Sequence, residues 1–323
     1  MLTSKQLLAW MIPVPVLLVL CLLTGPSGFG LPDLSSLAGR ALLDLRLCRL
    51  VTGFVVGAAL ATSGCALQAV LRNALAEPSV LGISSGGALG AALVLAFGLS
   101  AVSPLVLPAG AFFAAAATLL LVCLLANRVG NYAPNTLILT GVVVSSMLSS
   151  FLMLVLSFVK LRVMHSITWW LLGNLQGTSW ALVSGVGLLV LVAVIILCTQ
   201  ARTLNALLLG HETAHNLGVR TRVAVPVILA AATLAAAAAV SISGIIGFVG
   251  LIVPHALRRL TGANHRVLLP CTALFGGTFL VLCDTLARTL AAPHEIPVGV
   301  VTSLLGGPFF LYLLTRKGER AFG

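Results

Sequence analysis

The sequence predicts an all-α membrane protein, a polytopic bundle of ten transmembrane helices. Three observations carry that reading. Of the 323 residues, 59% are apolar and 8% are charged, against about 25% charged in a soluble globular chain. The mean hydropathy is +1.15, and the apolar residues gather into runs of the roughly 20 residues that cross a bilayer as helix. The positive charge is distributed as the topology of those runs requires.

In order, the spans fall near 7–24, 47–70, 80–98, 105–126, 136–159, 180–200, 223–243, 245–260, 267–291 and 297–315. The first follows Lys5 and looks like a signal peptide. It lacks a small-x-small cleavage site and has many spans behind it, so it reads as the first transmembrane helix. The eighth is short and carries Pro254 and His255 near its end, so its existence is decided by charge. With ten spans and a cytoplasmic N-terminus, Arg40, Arg46, Arg49, Lys160, Arg162 and Arg288 lie outside. The other twelve of the 18 Lys and Arg lie inside, in the direction of the positive-inside rule. Dropping the eighth span would invert the side of every later loop and remove the inside excess. Both termini are therefore expected in the cytoplasm, and residues 1–323 read as one membrane domain. Topology accounts for the net charge of +11, with no nucleic-acid partner.

The longest cytoplasmic loop in this arrangement is Ala201 to Arg222. It contains an amphipathic segment, Leu204 to Leu217, punctuated by Gly210 and ended by Gly218. The largest external segments are 25–46 and 160–179. The second holds Trp169 and Trp170, with Trp180 just beyond it, rings suited to the membrane interface, and is expected to include a short helix along the outer surface. Small residues recur at Gly82, Gly86 and Gly90, and at Gly53, Gly57, Ala61 and Cys65. Such stripes let helices approach closely in lipid. Gly244, Gly247 and Gly250 form a tighter run at the eighth span. Ser63-Gly64 is faintly echoed at Ser243-Gly244 on a span of opposite direction, which hints at an inverted repeat.

Chemistry is mostly absent. There is no G-x-x-x-x-G-K-[ST] phosphate cradle, no H-E-x-x-H, no G-x-S-x-G and no paired carboxylate cluster. Of seven acids only Asp284 lies inside an expected span. Arg288, one turn later, offers it a local ion pair, so no proton relay is visible. The seven cysteines include no C-x-x-C pair and read as core packing. His211 and His215 stand one turn apart around Glu212. A structural zinc wants four ligands, and the segment reads as a solvated helix face. His255 and His265 flank Arg258, Arg259 and Arg266, cations that suit a helix C-terminus without further role.

Several stretches together resemble one family, the FecCD-type permeases of ABC importers for vitamin B12, haem and ferric siderophores. They are Arg46-Leu47-Cys48-Arg49 leading to Val56–Ala61 and Ser63-Gly64, then Arg72-Asn73-Ala74-Leu75-Ala76-Glu77-Pro78 with Leu81–Gly86. Later come Gly247–His255, His265–Pro270, Ile296–Thr302 and Gly306–Phe310. The resemblance runs from about Arg46 onward. The chain departs from the family at Cys48 and Ala74, where proline is common; a fixed φ is lost at both places.

The resemblance implies a homodimer of ten-helix subunits with the substrate path along their interface. Two cytoplasmic ATPase subunits would dock below and an extracytoplasmic substrate-binding protein above. It implies that Leu204–Gly218 is a coupling helix pair seated in the ATPase, with Gly210, Ala214, Leu217 and Gly218 matching the family pattern. It assigns Arg46, Arg49 and Arg288 to docking of the binding protein; interfacial anchoring, or for Arg288 the Asp284 pair, is the alternative. The loop with Asn131, Pro134 and Asn135 lies where relatives narrow the inner end of the path, as an inner gate or an ordinary polar turn. The expected cargo is a metal chelate, ferric siderophore first, then haem or vitamin B12, with no resident cofactor or metal. A proton- or sodium-coupled secondary transporter is the alternative, disfavoured by the lack of intramembrane acids. An intramembrane enzyme lacks any catalytic pair.

Overall fold

The computed structural model describes residues 12–25, 28–130 and 132–317. Among them are thirteen α-helices: α1 (Pro13–Leu23), α2 (Leu37–Val70), α3 (Ile83–Ala96), α4 (Val106–Gly130), α5 (Pro134–Phe158), α6 (Leu161–Leu171), α7 (Trp180–Thr199), α8 (Ala201–Leu207), α9 (His211–Asn216), α10 (Thr221–Ser243), α11 (Val249–Thr261), α12 (His265–Thr289) and α13 (Val298–Lys317). Each expected span coincides with one helix. The remaining three are α6, within the segment expected outside, and the pair α8 and α9, within the loop expected inside. Six helices (α2, α4, α5, α7, α10 and α12) are long and apolar enough to cross a membrane unaided. The only strand pairing among the described residues sets Thr24 opposite Phe29 beside α1.

Three boundaries differ from the sequence reading, each for a physical reason. Helix α2 begins ten residues before the expected span, because Arg40, Asp44 and Arg46 end the apolar run without ending the helix. Ser36 caps it, its hydroxyl accepting from the Gly39 N–H at 3.0 Å. At 34 residues and 1.5 Å per residue it is about 51 Å long, well beyond the ~30 Å hydrocarbon layer. The third span opens as a 3₁₀ turn, Pro78–Leu81, and becomes α-helical only at Ile83. The eighth span begins with an irregular segment, 244–248, and α11 starts at Val249.

That segment also corrects the reading of the late glycine run. Gly244 and Gly247 precede α11 and only Gly250 lies on it, so the three do not form one helical stripe. Irregular backbone at membrane depth is tolerated where protein satisfies it. Here the Phe248 N–H donates to Glu77 Oε2 at 3.3 Å, and Ser79 Oγ donates to Glu77 Oε1 at 2.6 Å. Gln68 of α2 donates through Nε2 to the Gly250 carbonyl at 3.1 Å, and Arg258 Nη2 donates to Gln68 Oε1 at 3.1 Å. The end of α2, the 3₁₀ turn and the start of α11 are thus fastened together. Ser63-Gly64 lies within α2, whereas Ser243-Gly244 ends α10.

The core is built around α2, which packs most extensively on α12 and next on α10. Close approach is carried by small residues, as the stripes predict. A Cβ on Gly64 would overlap the Gly250 carbonyl, and one on Gly57 the Gly276 carbonyl of α12. Gly86 and Gly90 of α3 bear on Ala114, Thr118 and Gly110 of α4 in the same way. On α10 the alanines 235–239 are all buried. Without a hydrophobic drive between helices in lipid, such packing is the main source of association.

Candidate functional site

The 201–222 loop folds as two short helices, α8 and α9. Seven and six residues respectively, they are too short to be stable alone, so their form depends on what they bury. Leu204, Leu207 and Ala214 are fully buried and pin the pair to the bundle. Gly210 joins the helices with φ +113°, a conformation that favours glycine. On the other side Leu209 and Leu217, 62% and 63% exposed, face outward beside exposed Glu212, His215 and Gly218.

The four residues expected to contact the ATPase therefore divide. Gly210 and Ala214 are buried and shape the pair, whereas Leu217 and Gly218 are on its free face. Val219 N–H closes the end of α9 on the Ala214 carbonyl at 3.0 Å.

Beside this pair, Arg72, Ala133, Pro134 and the 209–213 turn line a cleft of about 480 Å³. Pro134 begins α5 and Asn135 follows it, exposed. Of the positions expected to form an inner gate, Pro134 therefore stands beside the turn between α8 and α9; Asn131 lies outside the described residues. His211 and His215 line a separate cleft with Glu212, Asn216 and Arg222. Among the described residues, no group of three or more His, Cys, Asp or Glu is arranged to hold a metal ion.

Near the start of α2 and the end of α12, the three arginines are all engaged within the chain. Arg46 is buried and donates through Nη1 to the Gly30 carbonyl at 2.9 Å. Arg49 forms salt bridges to Asp284 and Glu295, both at 2.8 Å. Arg288 is buried, donates to the Cys21 carbonyl at 2.6 Å, and lies 3.8 Å from Asp284. The local Arg288–Asp284 pair expected from the one-turn spacing is thus present, and Arg49 joins it from α2.

Glu295, in the loop between α12 and α13, also accepts from Gln176 Nε2. Burial raises its carboxyl, but the hydrogen bonds from Gln176 and Arg49 and the charges of Arg49 and Arg288 outweigh that and hold it below its ordinary value. Trp180 donates its indole N–H to Asp44 at 2.9 Å, fixing the outer end of α7 to α2.

The sequence assigns no role to Gln68, Asn205 and Glu295, and names Glu77 only within a stretch of the family resemblance. Glu77 had a usable signal, an acid just before a proline and a Gly-rich helix start. The others are isolated polar residues whose partners lie far away in sequence.

The sequence matches the profile of the FecCD transport family over residues 13–316. It is 43% identical over 299 residues to the cobalamin import system permease protein BtuC of Halobacterium salinarum, covering 92% of this chain and 78% of that one. It is 40% identical to the hemin transport system permease protein HmuU of Yersinia pestis, covering 87% and 85%. To the iron(3+)-hydroxamate import system permease protein FhuG of Bacillus subtilis it is 36% identical, covering 85% and 83%. Among solved structures, an ABC transporter described as of metal-chelate type, in an inward-facing conformation, superposes with TM-score 0.87 at 33% identity, covering 97% of this chain and all of that one. The chain belongs to the FecCD transport family, as the multi-pass permease subunit of an ABC importer whose ATPase is a separate polypeptide.

Proposed function

We propose that two copies of this chain form the pathway of an importer for a bulky metal chelate in the cytoplasmic (inner) membrane. A ferric siderophore is the leading cargo, and haem or vitamin B12 are the alternatives. Two cytoplasmic ATPase subunits grip α8 and α9 from below, and an extracytoplasmic binding protein delivers cargo from above. The observation that carries this reading is the inner-loop pair. A chain with no phosphate cradle needs mechanical contact with its engine, and α8–α9 presents two exposed leucines on a rigidly anchored support.

ATP shifts the balance of inward- and outward-facing states only through different affinity for them. The coupling pair must therefore move as a unit when the ATPases close. Support for the dimer comes from α5, the least buried of the six long spans. It leaves Met147 and Phe151 exposed together with Ser146 and Ser150. Pro134 and Asn135 at its inner end would narrow the path. Docking of the binding protein by Arg46, Arg49 and Arg288 requires its acidic groups to compete with Asp284 and Glu295 for guanidinium bonds, and complementary charge would set its orientation.

A cargo panel tests this. Cells expressing the permease with its ATPase and binding protein should accumulate radiolabelled ferric siderophore and be competed by excess unlabelled siderophore. Uptake of haem or cobalamin alone would reassign the cargo. Uptake abolished by a protonophore while ATP remains intact would favour a secondary transporter.

A further inference from the structure

Helix α8 is tied to the bundle by more than its leucines. Asn205, half-buried beside the buried Leu204, turns its amide to the N-terminus of α12. Its Nδ2 donates to Asn264 Oδ1 at 2.9 Å, and its Oδ1 accepts from the His265 backbone N–H at 2.9 Å. The His265 ring contributes a third contact, Nδ1 to the same Oδ1 at 2.8 Å. An amide oxygen only accepts, so this ring nitrogen carries the hydrogen. Asn264 is the cap of α12, its Oδ1 also accepting from the Arg266 N–H at 3.1 Å. Helix α12 therefore begins on a two-asparagine cap, one asparagine of which belongs to α8.

We propose that Asn205 is the positioning residue that transmits movement of the coupling pair to α12. The proposal rests on the reading of α8–α9 as the ATPase contact. Leu204 and Leu207 hold α8 by apolar burial, which is non-directional and tolerates sliding. Hydrogen bonds weaken steeply with misalignment, so the Asn205 contacts fix the register of α8 on α12. Helix α12 is also the main neighbour of α2. About 29 Å further along, at 1.5 Å per residue, it carries Asp284, which Arg49 of α2 holds at the outer face. One continuous helix thus links the coupling pair to the outer ion cluster, and Asn205 is its inner joint.

The test uses the permease reconstituted in liposomes with its ATPase and binding protein, reading cargo imported per ATP hydrolysed. Asn205→Ala should retain the ATPase but lower that ratio by about fivefold or more, the lower end of a typical allosteric coupling. Asn205→Asp, which keeps an acceptor for the His265 N–H and ring, should recover at least about half of the loss. An unchanged ratio in Asn205→Ala overturns the proposal. So does a loss of assembly or thermal stability in Asn205→Ala that Asn205→Asp does not repair, because the role would then be structural. A Leu217→Glu permease that still binds and couples its ATPase would instead overturn the underlying reading of α8–α9, whatever Asn205 does.

Discussion

Arg49 of α2 grips Asp284 of α12 with three hydrogen bonds, Nε to both carboxylate oxygens at 3.1 and 2.9 Å and Nη2 to Oδ1 at 2.8 Å. The two residues stand on the pair of helices with the largest mutual contact. Asp284 is almost fully enclosed, at 5% side-chain exposure. A buried pair of this kind is poor evidence of net stabilisation over an apolar pair, but breaking it strands a charge. Asp284→Ala leaves Arg49 with Glu295 alone and Arg288 with no acidic partner among the described residues, and should cost about 3 kcal/mol or more. Thermal unfolding in detergent, followed by tryptophan fluorescence, checks this. A cost below about 1 kcal/mol would mean the pair behaves like a screened surface bridge.

Glu295 supplies a pH dependence. Its folded pKa lies below the ordinary 4.5 because donors and positive charge around it outweigh burial. A group with a depressed folded pKa contributes stability that is present above its unfolded value and lost as pH falls through the folded one. The wild-type melting temperature should therefore fall between pH 5 and more acid conditions by more than that of Glu295→Gln. Parallel pH profiles for the two proteins would refute the assignment.

Close packing of α2 on α11 predicts a sharp contrast between two glycines. Gly64→Ala would drive a methyl into the Gly250 carbonyl, whereas Gly185 on α7 faces open space. Overpacking against backbone should cost about 1–3 kcal/mol. Gly185→Ala should be neutral or stabilising by up to about 1 kcal/mol, since alanine is the better helix former. Melting temperatures of the two variants decide it, and equal losses would contradict the helix contact.

The inner-loop pair separates shape from contact. Ala214 is fully buried and Leu217 is mostly exposed. Ala214→Leu should therefore lower the melting temperature of the isolated permease, by overpacking. Leu217→Glu should leave it nearly unchanged, because surface substitutions usually stay within about 0.5 kcal/mol, yet weaken ATPase capture on an affinity column. Equal capture by both variants and the wild type would place the contact elsewhere.

Much of this architecture is legible in the chain, and the reasons are physical. Span length and positive charge are local properties, so the ten apolar runs follow from counting, and so does the expectation that 201–222 is cytoplasmic. Gly57 and Gly86 announce close helix contact through residue size alone. Helix ends were harder. Arg40 and Asp44 interrupt hydropathy but not the hydrogen-bond ladder of α2, and the break at 244–248 is stabilised by Glu77, far away in sequence. The polar joints were illegible for the same reason. Asn205 meets His265, and Arg49 meets Glu295, only because the bundle brings distant segments together, and no periodicity encodes such a pair. The Arg288–Asp284 contact was readable because it lies within one helical turn.

The proposed entry of energy through α8–α9 is tested most directly by transport in the reconstituted system. Liposomes holding the permease, its ATPase and ATP, with binding protein and labelled ferric siderophore outside, should accumulate cargo only while ATP is hydrolysed. Leu217→Glu should abolish that accumulation. Accumulation that persists in Leu217→Glu, or that follows an imposed ion gradient without ATP, would contradict it.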